Sequence, residues 1–423
     1  MNILVVGGGG REHAIIKKIK ENKNVKNIYA LPGNGGIAYD ATCVNIGAKD
    51  IDKIVEFALN NKIDYAIVAP DDPLVLGCVD ALNKVGINCF GPSKDAAIIE
   101  GSKVFSKNLM KKYGIPTASY NVFNNASDAL KFVKTCDIPI VIKADGLALG
   151  KGVIIATERE QAVDAINSIM LDKIFGSSGN EIVIEEYLEG PEVSVLAFTD
   201  GKTLVPMVSS MDHKRIGDFD TGLNTGGMGT IAPNPYYTQD IAKTCMETIF
   251  MPTIKAMNSE NRTFKGCLYF GLMLTKNGPK VIEYNCRFGD PETQVVLPLL
   301  KSDLLEVMQA TTFGTLDKCS VEFSSDCACC VILASNGYPQ KYETGYEITL
   351  PNSETNNIYI AGAKLDNGVL KTAGGRVLGA TAIGNNLETA IKNAYELANK
   401  IDFKNKYLRS DIGQKALKAK ENL

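Results

Sequence analysis

The chain has 423 residues, enough for about two to four domains at roughly 100–200 residues each. Hydrophobic residues make up 45% and charged residues 22%, an ordinary globular composition, and a net charge of −3 gives no field that would gather nucleic acid or an acidic membrane surface. No basic and apolar leader precedes the first strand and no stretch approaches the about 20 apolar residues of a membrane span, so a cytoplasmic location with neither nucleic-acid nor membrane partners is expected.

The first hundred residues alternate short apolar runs, "NILVVG", "NIYAL", "DYAIVA" and "INCFG", with helical patterns such as "REHAIIKKIKEN" and "DIDKIVEFALNNK". This alternation predicts a doubly wound parallel sheet over 1–101. Four glycines, Gly7 to Gly10, follow the first strand and invite comparison with a dinucleotide loop, G-x-G-x-x-G. Counting from Gly7 or Gly8 places Glu12 or His13 where the third glycine belongs, and the second strand ends "YALPGNGG" with no acidic residue for a ribose. The loop is therefore expected to cradle a single phosphate with its backbone amides at a helix N-terminus.

"GPSKDAAIIEGSKVFSKNLMKKYGIP" predicts one long helix running to a Gly-Ile-Pro stop. Beyond it "IPIVIKAD", "GVIIAT" and "EIVIEEYLEGPE" make a small α+β unit, within 102–190, around a second glycine loop, "KADGLALGKGV". That loop is no Walker A motif, since Gly146 to Gly150 is one residue short and Lys151 precedes Gly152 rather than Ser or Thr. Flanked by strands on both sides, it is suited to closing over a triphosphate, with Lys103 and Lys143 as counter-charges.

A larger portion, 191–320, carries the paired strands "GCLYFGLMLT" and "PKVIEYNC". Strand alternation puts Glu283, Asn285 and Arg287 on one face, a carboxylate and a carboxamide suited to Mg²⁺ and a guanidinium suited to a phosphate or carboxylate. The segment from Ser209 to Pro233 is polar, glycine-rich and without period, and reads as an irregular functional loop. Neither His13 nor His213 is assigned as a base. In 321–423 a hairpin is expected at Asp366-Asn367-Gly368, followed by an amphipathic helix. "CACC", Cys327 to Cys330, reads as a buried strand of reduced thiols rather than a metal site.

In order, a strand–glycine flap–strand unit, the hinge-like "EEYLEGPE" and a Glu-x-Asn strand resemble the ATP-grasp superfamily. "VVGGGGREHAI", "GLALGKGV", "DHKR-GD-DTG-NTGGMG", "NCRFGDPETQ", "GGRV" and "YLRSDIG" together resemble the phosphoribosylamine–glycine ligase family from end to end. The resemblance implies an α/β and α+β multidomain fold: an N-terminal doubly wound domain, an ATP-grasp core with a small lid, and a C-terminal α+β domain. It implies an ATP-dependent ligase of purine biosynthesis that joins glycine to 5-phosphoribosylamine through glycyl phosphate. Another carboxylate–amine ligase of the superfamily and a nucleotide-binding sensor without turnover are the alternatives.

By the same resemblance Lys103, Lys143, Gly146, Gly150, Lys151 and Gly152 bind ATP phosphates, Glu185 and Leu188 meet adenine, and Glu192 meets the ribose. Glu283 and Asn285 hold Mg²⁺ or Mn²⁺, and Arg287 contacts the transferred phosphoryl group or the substrate carboxylate. Gly9, Gly10, Asn34 and Gly35 take the phosphoribosylamine, with Asp71 in the place of a ribose-contacting residue. Asp212, Lys214, Gly226, Gly227 and Asp290 belong to the substrate loops, and Lys143, Asp212, Lys214 and Arg287 are the expected catalytic set. The second metal-binding Glu of many ATP-grasp enzymes would fall near Met273, where none is present. A monomer is expected, with transient contact to the enzyme that supplies the unstable amine.

Overall fold

The computed structural model describes residues 1–147, 152–353 and 355–421. Strands β1 (Asn2–Gly7), β2 (Asn27–Pro32), β3 (Thr42–Cys43), β4 (Tyr65–Val68) and β5 (Asn88–Phe90) form the expected parallel sheet, in the order β3-β2-β1-β4-β5. Both of its faces are covered, which is why β1 reads as an unbroken apolar run. Leu4 and Val6 pack into a cluster that includes Val195 and Phe270, while Ile3 and Val5 pack into another with Leu196 and Val295. The strand order reverses between β1 and β4, so the loops after these two strands, Gly8–Gly10 and Pro70–Asp71, flank the crevice where such sheets bind ligands.

The single long helix expected over residues 94–113 is two helices, Lys94–Gly101 and Lys103–Tyr113. Ser102 between them is extended, and its hydroxyl accepts from Phe105 N at 3.0 Å, an N-cap that competes with continuation of the first helix. The lid follows: β6 (Tyr120–Phe123), β7 (Ile140–Ala144), β8 (Val153–Ala156) and β9 (Ile182–Glu186) form an antiparallel sheet ordered β6-β9-β7-β8. It has a core of its own, including Ala129, Ile142, Ile166 and Ile184.

The core sheet begins with β10 (Glu192–Thr199) and β11 (Leu204–Pro206). The segment expected to be irregular is instead folded into β12 (Met211–Asp212), the hairpin β13 (Arg215–Gly217) and β14 (Thr221–Asn224), and β15 (Gly229–Ala232). Turns at Phe219, Asp220, Gly222 and Gly227, all with positive φ, break the apolar period while leaving the backbone paired. The long hairpin of β16 (Gly266–Thr275) and β17 (Gly278–Asn285) completes the sheet β11-β10-β16-β17.

β18 (Cys327–Ser335), β19 (Ile358–Ile360), the hairpin β20 (Ala363–Asp366) and β21 (Val369–Thr372), β22 (Arg376–Gly384) and β23 (Lys406–Tyr407) make up the C-terminal strands. Asn367 and Gly368 both have positive φ, as a type I′ turn requires. The C-terminal sheet runs β12-β15-β18-β22-β19, so its first two strands come from the 191–320 portion. Cys329 and Cys330 are buried in β18. No helix among the described residues is long and apolar enough to cross a membrane.

Candidate active site

Lys103 and Lys107 lie one turn apart on the same face of their helix, and Lys143 stands at the end of β7. All three reach one cavity, together with Gly152, Glu185, Glu283 and Arg287. Glu185 projects between two of the lysines: Lys107 Nζ lies 3.0 Å from its Oε2 and Lys143 Nζ 3.1 Å from its Oε1. Lys143 also donates to Ile282 O at 3.0 Å, and Lys107 to Thr117 Oγ1 at 2.7 Å. Lys107 is only 2% exposed, and burial brings its ammonium down to about 8 against the opposing pull of Glu185. Burial likewise lowers Lys103, whose Nζ donates to Gly146 O at 3.0 Å. Asp145 accepts from Ser102 Oγ at 3.0 Å and Val104 N at 2.7 Å, tying the start of the glycine flap to the start of the lysine helix.

The carboxylate of Glu185, expected against adenine, is thus engaged by two lysines. Leu188 is half-buried and Glu192 exposed, and neither lines the cavity. Gly150 and Lys151 lie outside the described residues.

The cavity floor is β17. Its turn register sets Met273 opposite Lys280, and past a bulge between Gly271 and Leu272 Glu283 stands opposite Gly271. The position facing the metal-candidate carboxylate is therefore Gly271, not Met273, and it offers no side chain. Burial pushes the Glu283 carboxyl up, but Lys214, Lys143, Lys103 and Arg287 outweigh it and bring it to about 2. Its nearest cation is Lys214 Nζ at 3.5 Å. Asn285 Oδ1 has a single long contact, 3.4 Å from Arg287 Nη2. Two hard oxygens, one firmly anionic and both loosely engaged, fit Mg²⁺ or Mn²⁺, with phosphate and water left to complete the shell.

Arg287 is oriented by Glu100, whose Oε1 accepts from Nη2 at 2.8 Å while Oε2 accepts from Cys286 N at 2.7 Å. Burial raises Glu100 despite Arg287. Asp71 Oδ2 stands 3.9 Å from the same Nη2, so Asp71 faces the arginine as well as the crevice. Arg287 Nε is buried without a hydrogen-bond partner, a donor free for an incoming anion.

On the other side of the crevice Glu12 explains the missing third glycine. Its Oε1 pairs with Arg11 Nε at 2.6 Å, its Oε2 accepts from Gly9 N, and a Cβ on Gly7 would lie 2.6 Å from its Cγ. The Glu12 side chain fills the space a pyrophosphate would need, and it takes the Gly9 amide expected to meet a phosphate. The carboxamide of Asn34 is also committed: it donates to Gly8 O and Ile360 O and accepts from Gly36 N and Ile37 N. Gly35 packs against the C-terminal strands, donating to Ala363 O at 2.9 Å. Asn34 and Gly35 therefore join the first loop to the C-terminal domain through these bonds.

Gly9 and Gly10 pack against the 290 turn. A Cβ on Gly9 would approach Asp290 Oδ2 to 3.4 Å, and one on Gly10 would strike Gln294 Nε2 at 2.7 Å. Gln294 donates to Asp290 Oδ1 at 2.8 Å. Arg376 reaches in from β22 to pair with Asp290 at 3.3 Å and donates to Gly226 O at 2.6 Å. Gly227, at φ +111, leaves Asp212 Oδ1 uncovered where a side chain would lie 2.6 Å away. That oxygen is buried without a partner, and burial with the nearby charge of Glu292 raises the Asp212 carboxyl well above the usual carboxylate range. Asp212 and Lys214 alternate onto one side, and Lys214 links this crevice to Glu283.

Both histidines are structural. His13 Nδ1 accepts from Ile360 N, leaving Nε2 to donate to Asp40. His213 Nε2 accepts from Gly413 N, leaving Nδ1 to donate to Gly229 O, and burial brings it down to about 4. Lys107, Glu100, Glu292 and Arg376 are site residues that sequence reasoning missed. The four-residue spacing from Lys103 was a usable signal for Lys107, and "GGRV" one for Arg376; nothing local marked the two glutamates.

A lid sheet and a core sheet enclosing lysines above a Glu-x-Asn strand define the class, an ATP-grasp ligase. Models of the phosphoribosylglycinamide synthetase N domain, ATP-grasp (A) domain and C domain match residues 1–100, 101–293 and 328–415. A phosphoribosylamine–glycine ligase of Clostridium acetobutylicum is 49% identical over 414 residues, covering 98% of this chain and 100% of that protein. The crystal structure of phosphoribosylamine–glycine ligase from Thermotoga maritima superposes with a TM-score of 0.87 at 34% identity, over 97% of this chain and 100% of that one. The biotin carboxylase domain of the Hydrogenobacter thermophilus 2-oxoglutarate carboxylase, at 14% identity and a TM-score of 0.75 over 96% and 91% of the two chains, shares the fold alone. The chain belongs to the phosphoribosylamine–glycine ligase family of purine biosynthesis and is an ATP-dependent ligase.

Proposed function

We propose that this chain joins glycine to 5-phosphoribosylamine with ATP, releasing glycinamide ribonucleotide, ADP and phosphate by way of glycyl phosphate. The observation that carries the reading is the cluster of four cations, Lys103, Lys143, Lys214 and Arg287, around the anionic Glu283. Those cations suit a polyphosphate, and the neighbouring crevice at the β1–β4 switch point suits a second substrate.

Lys103, Lys143, Gly146 and Gly152 bind the ATP phosphates, with Glu185 holding Lys143 and Lys107 apart in fixed positions. Glu283 and Asn285 hold Mg²⁺ or Mn²⁺, which neutralises phosphate charge when bound. Glycine carboxylate attacks the γ-phosphorus, and Arg287, aimed by Glu100, meets the charge that develops on the transferred group. Closure of the lid excludes water, which would otherwise hydrolyse the acyl phosphate. The amine then attacks the acyl carbon and phosphate leaves, with Gly9, Gly10 and Asp290 holding the phosphoribosylamine beside Asp212 and Lys214.

The working unit is a cytoplasmic monomer that meets the amine-supplying enzyme transiently. The reading is tested by hydroxylamine trapping: ATP and glycine without the amine should yield glycine hydroxamate, and ADP formed with no hydroxamate would contradict the acyl phosphate.

A further inference from the structure

The motif "YLRSDIG" lies far from the cavity in sequence, and no step of the reaction uses its side chains. In the structure it grips the hairpin β13–β14 along its length. Tyr407 OH donates to Ile216 O at 2.8 Å. Arg409, 1% exposed, donates from Nη1 to Arg215 O at 3.0 Å and to Asp220 Oδ1 at 3.1 Å. The rest of its guanidinium is held by Asp411, Nε to Oδ1 at 2.8 Å and Nη2 to Oδ2 at 2.7 Å. Ser410 N donates to Asp218 Oδ1 at 2.8 Å, and Asp411 Oδ2 accepts from Phe219 N at 2.8 Å. Gly413 N donates to His213 Nε2, just before the hairpin.

This grip holds an unfavourable conformation. Phe219 and Asp220 are consecutive non-glycine residues at φ 57 and 56, and Phe219 is 80% exposed, so packing of its ring does not stabilise the turn. Both residues are instead fixed through polar groups supplied by residues 409–411. The base of the same hairpin carries Lys214, 3.5 Å from Glu283, and leads through Thr225, whose amide donates to Lys214 O, into Gly226 and Gly227. A strained tip pinned from outside and reactive groups at the base describe a positioning device.

We propose that Tyr407–Gly413 is a clamp that positions Lys214 and the Gly226–Gly227 turn for the ligation, with Arg409 as its central positioning residue; this rests on the function proposed above. The fork of Arg409 matters more than its charge, because it serves a backbone carbonyl and two carboxylates at once.

The test removes the clamp from the hairpin side, where the side chains are solvent-accessible and the fold is least at risk. Asp218→Asn with Asp220→Asn weakens the bonds from Ser410, Arg409 and, at 3.5 Å, Lys415. Steady-state kinetics should show kcat/KM for glycine and for 5-phosphoribosylamine lowered at least about tenfold, with KM for ATP changed less than about twofold and Tm retained. Placed in a Lys214→Ala background, the pair should cost clearly less than it costs alone, since part of its effect acts through Lys214. Arg409→Lys should reproduce the same split among the substrates. Parent-like kinetics in the double variant, equal rises in KM for all three substrates, or losses fully additive with Lys214→Ala would overturn the clamp. If the unmodified protein forms no ADP with glycine and the amine, the proposed function fails; if it does and the variant matches it, only the clamp fails.

Discussion

Glu283→Gln takes one negative charge, and almost no volume, from a face shared with Lys214, Lys143, Lys103 and Arg287. The cations hold the folded carboxyl at about 2 against an ordinary 4.5, which corresponds to about 3.5 kcal/mol. With 32% of the side chain open to solvent, screening trims this to about 2 kcal/mol. Because the folded value is the depressed one, the stabilisation is fully present above about pH 4.5 and is lost as pH falls toward 2; at pH 3.5 about three-fifths remains. Urea unfolding of the parent and the variant, free of nucleotide and metal, should show a gap of about 2 kcal/mol at pH 7 that shrinks to about 1 kcal/mol at pH 3.5. A variant as stable as the parent at pH 7, or a gap independent of pH, would refute the electrostatic account of the cavity. Turnover should fall by at least about a thousandfold, and near-normal rates would remove Glu283 from the metal site.

Gly9→Val puts a branched side chain where a Cβ already meets Glu12 Oε2 at 2.9 Å and approaches Asp290 Oδ2 to 3.4 Å, so KM for 5-phosphoribosylamine should rise at least about tenfold while KM for ATP changes less than about twofold. Equal effects on both would contradict the placement of the amine substrate. Asn34→Ala breaks four hydrogen bonds, to Gly8 O and Ile360 O and from Gly36 N and Ile37 N, and should cost about 2–4 kcal/mol in denaturant unfolding, with KM for ATP unchanged; a stability-neutral variant would mean the carboxamide is not a pin. His213, at about 4 in the fold against an ordinary 6.5, is held neutral, so its contribution to stability is lost as pH falls from about 6.5 to 4. His213→Leu should flatten the dependence of the urea midpoint over that range, and an unaltered slope would place its proton elsewhere.

Much of this architecture was legible where a periodic pattern met a full core. β1, β7 and the β16–β17 hairpin follow directly from apolar runs bounded by turn residues, and the Asn367-Gly368 turn from its dipeptide. The rejection of a dinucleotide loop rested on Glu12 standing in a glycine position, and the structure supplies the reason: that side chain fills the loop. Less legible was whatever depended on contacts remote in sequence. The division at Ser102 turned on one capping hydroxyl, and the β12–β15 strands were hidden because they are short, joined by positive-φ turns, and anchored to β18 and to C-terminal side chains. Asn34 was placed by family resemblance alone, and its bonds to Gly8 O and Ile360 O join segments remote in sequence that no local pattern marks. The bulge after Gly271 moved the residue facing Glu283 from Phe270 to Gly271, a one-residue shift that no alternation rule anticipates. Glu100 and Glu292 sit in helical or turn sequence with nothing to separate them from surface acids; only burial against Arg287 and Asp212 does so.

The most direct test of the account is ADP release by the purified protein with Mg²⁺·ATP, glycine and 5-phosphoribosylamine. Sustained ADP formation should require both glycine and the amine and should match glycinamide ribonucleotide one for one. Sustained ADP formation with another acid in place of glycine, or with no dependence on the amine, would contradict it.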